Sequence, residues 1–181
     1  MKGWIDARYP GTKLAITEYN WGNDNTNSGA VAQAELFGIF AREGVDMATR
    51  WVAPDPNTKA ERAYTLFLNY DGAGAKVQGS SISASSANVD QVGAYAFTSG
   101  ARTMVLLTNK TTSAQDASVA FASVPGTTWK LFGFDATHAV HQIGGSGTVS
   151  GSTIALAALP AMSANLLVVE GNDVIFKNGF E

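Results

Sequence analysis

The sequence contains no cysteine, so neither a disulfide nor a thiolate metal site is open to it. That leaves the redox compartment unassigned. Charge is sparse: 15% of the 181 residues are Asp, Glu, Lys or Arg, and the formal net charge is −3. No basic patch interleaves with aromatic residues, so nucleic acid is not an expected partner. No apolar run approaches the roughly 20 residues that cross a bilayer, which excludes a membrane span of that kind. Histidine occurs twice. His138 and His141 are three apart with no third ligand in view, and a structural role outweighs a metal site. The glycine-rich run 144–147 does not lie between a strand and a helix, so it is no phosphate cradle and no cofactor is expected. Met1–Asp6 lacks an apolar core and a small-residue cleavage site, and is not expected to be a signal peptide.

What is present is apolar. Hydrophobic residues make up 45% of the chain, which rules out disorder throughout and allows one ordinary domain or two small ones. Trp4, Ile5 and Arg8 fall at helical spacing and run into Tyr9-Pro10-Gly11. A chain that opens in the last turns of a helix and goes straight into a strand reads as a fragment.

The strand that follows carries the chemistry. Leu14-Ala15-Ile16 reads as a short buried run, and Thr17-Glu18-Tyr19-Asn20-Trp21-Gly22 turns polar and aromatic at its C-terminal end. Catalytic groups of (β/α) folds sit where strands meet loops, although Glu18 is also readable as a solvated strand-end carboxylate. Asn27 or Ser28 can cap the next helix, whose stripe is Val31, Ala34, Phe37 and Phe40 with Leu36 and Ile39, and Gly44 ends it. Met47–Val52 is a second strand. Thr58 and Glu61 form a capping box before a face of Ala60, Ala63, Tyr64, Phe67 and Leu68. Strand, helix, strand, helix at this spacing predicts two parallel neighbouring strands.

Beyond Gly74 the period shortens. Val92–Thr98 and Thr103–Thr108 read as a hairpin about Ser99–Arg102. Further strands are expected at 117–121, 128–134, 139–143, 153–156 and 165–170, with turns at Pro125-Gly126, Gly144–Gly147 and Pro160. Many short strands without helical patterning indicate an antiparallel sandwich. The boundary falls at residues 73–78. The fold class is therefore α/β plus all-β, with βα units over 1–75, a sandwich over 76–171 and a tail over 172–181.

The segment Tyr9–Gly22 closely resembles glycoside hydrolase family 44, secreted endo-β-1,4-glucanases and xyloglucanases. The resemblance continues through Gly38–Gly44, Ala48-Thr49-Arg50-Trp51 and Asn69-Tyr70-Asp71-Gly72, and in pattern to Leu159–Ser163. It implies the last two βα units of a (β/α)8 barrel followed by an antiparallel β-sandwich, and hydrolysis with retention. Glu18 falls on the nucleophile position at the end of strand seven, and Trp51 on an aromatic platform at the end of strand eight. The acid/base glutamate belongs to an earlier strand that this chain lacks.

Retaining hydrolysis needs two carboxyl groups roughly 5–5.5 Å apart, and flat sugar faces stack on exposed aromatic rings. Glu18, Trp21, Trp51 and Asn20 make half of such a site, with a β-1,4-linked polysaccharide as partner. Alternation turns Tyr19 away from Glu18 into packing. Arg50 holds an ion pair or touches substrate, and Trp4 and Trp129 are packing residues. Asp24, Asp55 and Asp71 fit turn or capping duty. Asn109-Lys110-Thr111 matches a glycosylation sequon. Residues 173–181 resemble a short tail of exported bacterial proteins, which points to an extracellular parent. Glu35, Glu43 and Glu61 lie in expected helices outside the barrel, so none is a natural acid/base. The chain alone is therefore expected to be inactive, and to self-associate or be complemented by the missing barrel part. The alternative is a non-catalytic, glycan-binding or structural sandwich with residual barrel elements.

Overall fold

The computed structural model describes residues 2–171, so the tail expected over 172–181 lies outside the described residues. Helix α1 (Lys2–Arg8) leads into strand β1 (Ala15–Tyr19), helix α2 (Asn27–Arg42), strand β2 (Met47–Arg50) and helix α3 (Lys59–Leu68). β1 and β2 pair in parallel, with Ala15 beside Met47 and Tyr19 beside Arg50. The expected βα order is therefore present. The strand β1 is not buried as expected. Ala15 is exposed and Leu14 and Ile16 are half-buried, because β2 is its only sheet partner among the described residues.

Helix ends follow local chemistry. Thr26, rather than Asn27 or Ser28, caps α2, its hydroxyl accepting from the Gly29 amide at 3.1 Å. Asn27 instead turns its amide to the Met162 carbonyl. At the other end Gly44 takes φ +67°. Its amide reaches Ala41 O at 3.3 Å and that of Val45 reaches Phe40 O at 2.9 Å, the paired bonds of a Schellman motif. The capping box at α3 does not close. The Thr58 hydroxyl donates to Asp55 O, and Glu61 accepts from the Asn57 amide instead.

The rest is antiparallel. Strands β3 (Ser80–Ile82), β4 (Val92–Ser99), β5 (Arg102–Asn109), β7 (Thr128–Phe134), β8 (His141–Thr148) and β10 (Ser163–Glu170) form one sheet in the order β3-β4-β5-β10-β7-β8, while β6 (Gln115–Ala120) pairs with β9 (Thr153–Leu159). The expected hairpin is β4–β5, turning through Gly100-Ala101. The central sheet is covered on both faces. Tyr95, Phe97, Met104, Leu106, Phe132, Phe134, Leu166 and Val168 pack on the helices through Ala30, Val31, Ala34, Ala63 and Leu66. The intervening Ala96, Val105, Leu107, Leu131, Leu167 and Val169 pack on Ile154, Leu156 and Leu159 of β9. Double coverage is why β5 and β10 read as continuous apolar runs rather than alternating ones.

Three further expectations are corrected. Gly144–Gly147 lies inside β8 rather than in a turn. The Trp129 ring lies against Gly145 and Gly147, and a Cβ at Gly145 would sit 2.8 Å from it. On α3, Leu66 is fully buried and Leu68 is 55% exposed, because the inward face runs Ala60, Ala63, Leu66. Trp129 packs at the edge of the second core, but Trp4 is 61% exposed and meets only the Tyr9 ring among aromatic neighbours in the described residues. In the two turns of α1 only Ile5 points inward.

Candidate active site

Parallel pairing brings the C-terminal ends of β1 and β2 to the same edge of the molecule. Glu18 is exposed one residue before the end of β1, and Trp21 follows it at 41% exposure. Trp51 begins where β2 stops, 62% exposed, and its amide donates to Tyr19 O at 2.9 Å. Its peptide bond to Val52 is cis. The register is irregular between Ile16 and Tyr19. Glu18 is exposed and Tyr19 half-buried, the alternation of adjacent strand residues to opposite faces.

Tyr19 packs as expected. Its ring meets Phe40 edge-on at 5.4 Å. Its hydroxyl accepts from Gln33 Nε2 at 3.1 Å and lies 3.4 Å from the Tyr64 hydroxyl. Burial, then the hydrogen bond to Tyr19, pushes the Tyr64 phenol well above its ordinary pKa.

Arg50 holds an ion pair. Its side chain is 5% exposed and pairs with Asp24, which gives Asp24 a role beyond turn formation. The same guanidinium donates through Nη1 to Val52 O and through Nη2 to Asn20 Oδ1 at 3.2 Å. The Asn20 amide nitrogen donates to Trp51 O, and its oxygen also accepts from the Gly22 amide at 2.8 Å. Asp24 and Gln33 are the members of this arrangement that the sequence did not disclose. The signal in the sequence was the arginine beside a tryptophan at the end of a strand, which does not say which of several acids answers it.

The structure joins Asn20 to Trp51 and places Glu18 and Trp21 at the same strand end, and the carboxylate it adds there, Asp24, is taken up by Arg50. Glu35 accepts from Lys110 at 2.9 Å and from the Tyr95 hydroxyl at 3.1 Å. Glu43 pairs with Arg42, and Glu61 holds the Asn57 amide. Asp71 caps its own loop through the Ala73 and Ala75 amides. His138 pairs with Asp135. No group of three possible metal ligands occurs among the described residues. The sequon asparagine, Asn109, is fully buried, with its amide against Ser113, Leu159 and Pro160 carbonyls. Cavities of about 560 and 650 Å³ lie beside β6 and between α2 and α3. Neither is lined by Glu18, Trp21 or Trp51. Among the described residues no helix is long and apolar enough to cross a membrane.

No family model matches the sequence. Over 100 residues the chain is 42% identical to the beta-mannanase/endoglucanase A of Caldicellulosiruptor saccharolyticus, covering 55% of this chain and 7% of that protein. It superposes on CelM2, a bifunctional glucanase-xylanase from a metagenome library, with a TM-score of 0.81 and 36% identity over 94% of this chain and 33% of the other. A Paenibacillus polymyxa xyloglucanase of glycoside hydrolase family 44, solved with xyloglucan, gives 0.81 and 29% over 94% and 35%. The chain is similar in fold and sequence to a family 44 glycoside hydrolase. It spans about a third of the length of these two solved chains and far less of the curated relative. The matched region takes in the parallel pair, its helices and the antiparallel sheets together, since 94% of the chain is covered.

Proposed function

We propose that the chain carries the nucleophile half of a retaining endo-β-1,4-glucanase site acting on cellulose, xyloglucan or mixed β-glucan. The observation that supports it most is the shared strand end, where Glu18 lies one residue before the end of β1 and Trp51 just past the end of its parallel neighbour β2, in a chain similar to glucanases and xyloglucanases. In this reading β1 and β2 are the seventh and eighth strands of a (β/α)8 barrel. Residues 1–75 are barrel, and residues 76–171 form the sandwich domain. Glu18 attacks the anomeric carbon, and Trp51 and Trp21 stack against sugar faces. Asn20 serves the same subsite at the rim. The proton for the leaving oxygen comes from a carboxylic acid on a strand outside this chain. A polymeric substrate too large to cross a membrane puts the parent enzyme outside the cell.

A second reading applies to the chain by itself: a non-catalytic, glycan-binding or structural module. It is favoured by the engagement of Glu35, Glu43 and Glu61 with partners away from Glu18. The test is Glu18→Gln in a complete barrel, assayed by reducing-sugar release from carboxymethyl cellulose, xyloglucan and mannan. Turnover should fall by roughly 10³-fold or more with glycan binding nearly intact, since a neutral isostere keeps shape and cannot attack. A variant that keeps a tenth of the activity removes Glu18 from the role.

A further inference from the structure

We propose that Asp24, Arg50 and Asn20 form a clamp that positions Trp51, a role that rests on reading Trp51 as the sugar platform. An aromatic ring stacks on a sugar only in one plane, and ordering it at the moment of binding subtracts from affinity. At 62% exposure the Trp51 ring has little packing of its own to set that plane. Its backbone is what is held. The Trp51 amide donates to Tyr19 O at 2.9 Å and its carbonyl accepts from Asn20 Nδ2. The next carbonyl, Val52 O, accepts from Arg50 Nη1. Peptide units on both sides of the ring are therefore pinned.

One guanidinium couples the two pins. Arg50 Nη2 reaches Asn20 Oδ1 at 3.2 Å and Asp24, while the Gly22 amide fixes the same Asn20 oxygen at 2.8 Å. A buried guanidinium left unpaired would be costly, and Asp24 supplies its counter-charge. The planar fork of arginine reaches several acceptors in fixed directions, whereas lysine is a single point charge on a flexible stem. Two donors of the clamp, Asn20 Nδ2 and Arg50 Nη1, are directed at the peptides around Trp51. These three are positioning residues, acting on substrate through the ring.

The test uses this chain and the indole N–H resonances of its tryptophans, four in the sequence, assigned by Trp→Phe variants and read beside titration with a soluble cello-oligosaccharide. Asn20 is exposed, so Asn20→Ala should fold, and it should shift or broaden the Trp51 resonance while those of Trp4 and Trp129 stay in place. Oligosaccharide affinity should fall about five- to tenfold. Arg50→Lys keeps the charge that Asp24 needs but not the fork. It should reproduce the Asn20→Ala signature, whereas a purely structural ion pair would be satisfied by lysine. If Arg50→Lys fails to fold, Asn20→Ala decides alone. Wild-type Trp51 resonance and affinity in Asn20→Ala overturn the clamp. A Trp51→Ala variant that binds like wild type removes the platform reading instead, and the indole signal still decides whether the clamp exists.

Discussion

Asp135, at the turn after β7, shows how single charges are answered in this chain. Burial alone would raise its pKa. The His138 ring, the Thr137 and His138 amides and the Thr137 hydroxyl outweigh that and hold the carboxyl well below the usual range. Lys59 and Arg62 of α3 donate to the carbonyls of the same turn, at Ala136, Asp135 and His138. A carboxyl with a depressed folded-state pKa contributes stability above its unfolded value, about 3.9, and loses it as pH falls through the folded value. Asp135→Asn should therefore destabilise the chain by about 2 kcal/mol at pH 7, and the deficit should shrink as pH drops below about 4. Urea titrations at pH 7 and pH 3 measure both; an equal deficit at the two values contradicts the charge assignment. Such partnerships were only partly legible in the sequence. Glu18 and Trp51 stood out because they end strands, a local pattern. Asp24 did not, because its partner Arg50 is 26 residues away and nothing local distinguishes an anion that pairs from one that caps a turn.

Elements were legible where their pattern is local, and misread where a ring from elsewhere decides. The period of α2, the Gly44 stop and the β4–β5 hairpin are short-range signals, and all appear in the structure. The run Gly144–Gly147 carries an equally strong turn signal. It forms strand, with Gly145 and Gly147 admitting the Trp129 ring, which no local rule reveals. Leu66 and Leu68 were exchanged for a related reason. α3 turns Tyr64 and Phe67 toward Phe37 of α2, at ring distances of 5.0 and 4.9 Å, and Leu66 toward the core shared with the sheet. A helix with two packed sides has no single stripe to read. Close approach also governs Gly38 in α2, where a Cβ would lie 2.4 Å from Cγ of the Tyr95 ring. Alanine is the better helix former by about 1 kcal/mol, but overpacking against a ring held by Glu35 costs about 1–3 kcal/mol. The Tyr95 hydroxyl donates to Glu35, and its pKa is pushed up to about 12, chiefly by burial. Gly38→Ala should thus lower stability in chemical denaturation. A stabilised variant would mean that helix and sheet are not in contact there.

At the scale of the molecule, the two halves differ in what they leave open. The six-stranded sheet is covered on both faces. The β1–β2 pair has an unpaired edge on each side among the described residues, beside exposed Met47, Trp51 and Val52. Unpaired edges next to apolar surface recruit another chain. Light scattering coupled to gel filtration should find dimers or larger species; a monodisperse monomer contradicts this. The sandwich expectation was drawn from strand periodicity and did not foresee that α2 and α3 would cover the sheet, because coverage is a long-range fact.

The central claim is that Glu18 forms a covalent bond to sugar during turnover. Its most direct test is to treat an active, complete barrel carrying this segment with a slow fluorinated glycoside that traps the glycosyl-enzyme, then to fragment the tryptic peptide spanning residues 14–42. That peptide follows Lys13, ends at Arg42 and contains Glu18, Asp24 and Glu35. The account predicts a single glycosyl adduct on Glu18. An adduct on Asp24 or Glu35, or turnover with no adduct on this peptide at all, contradicts it.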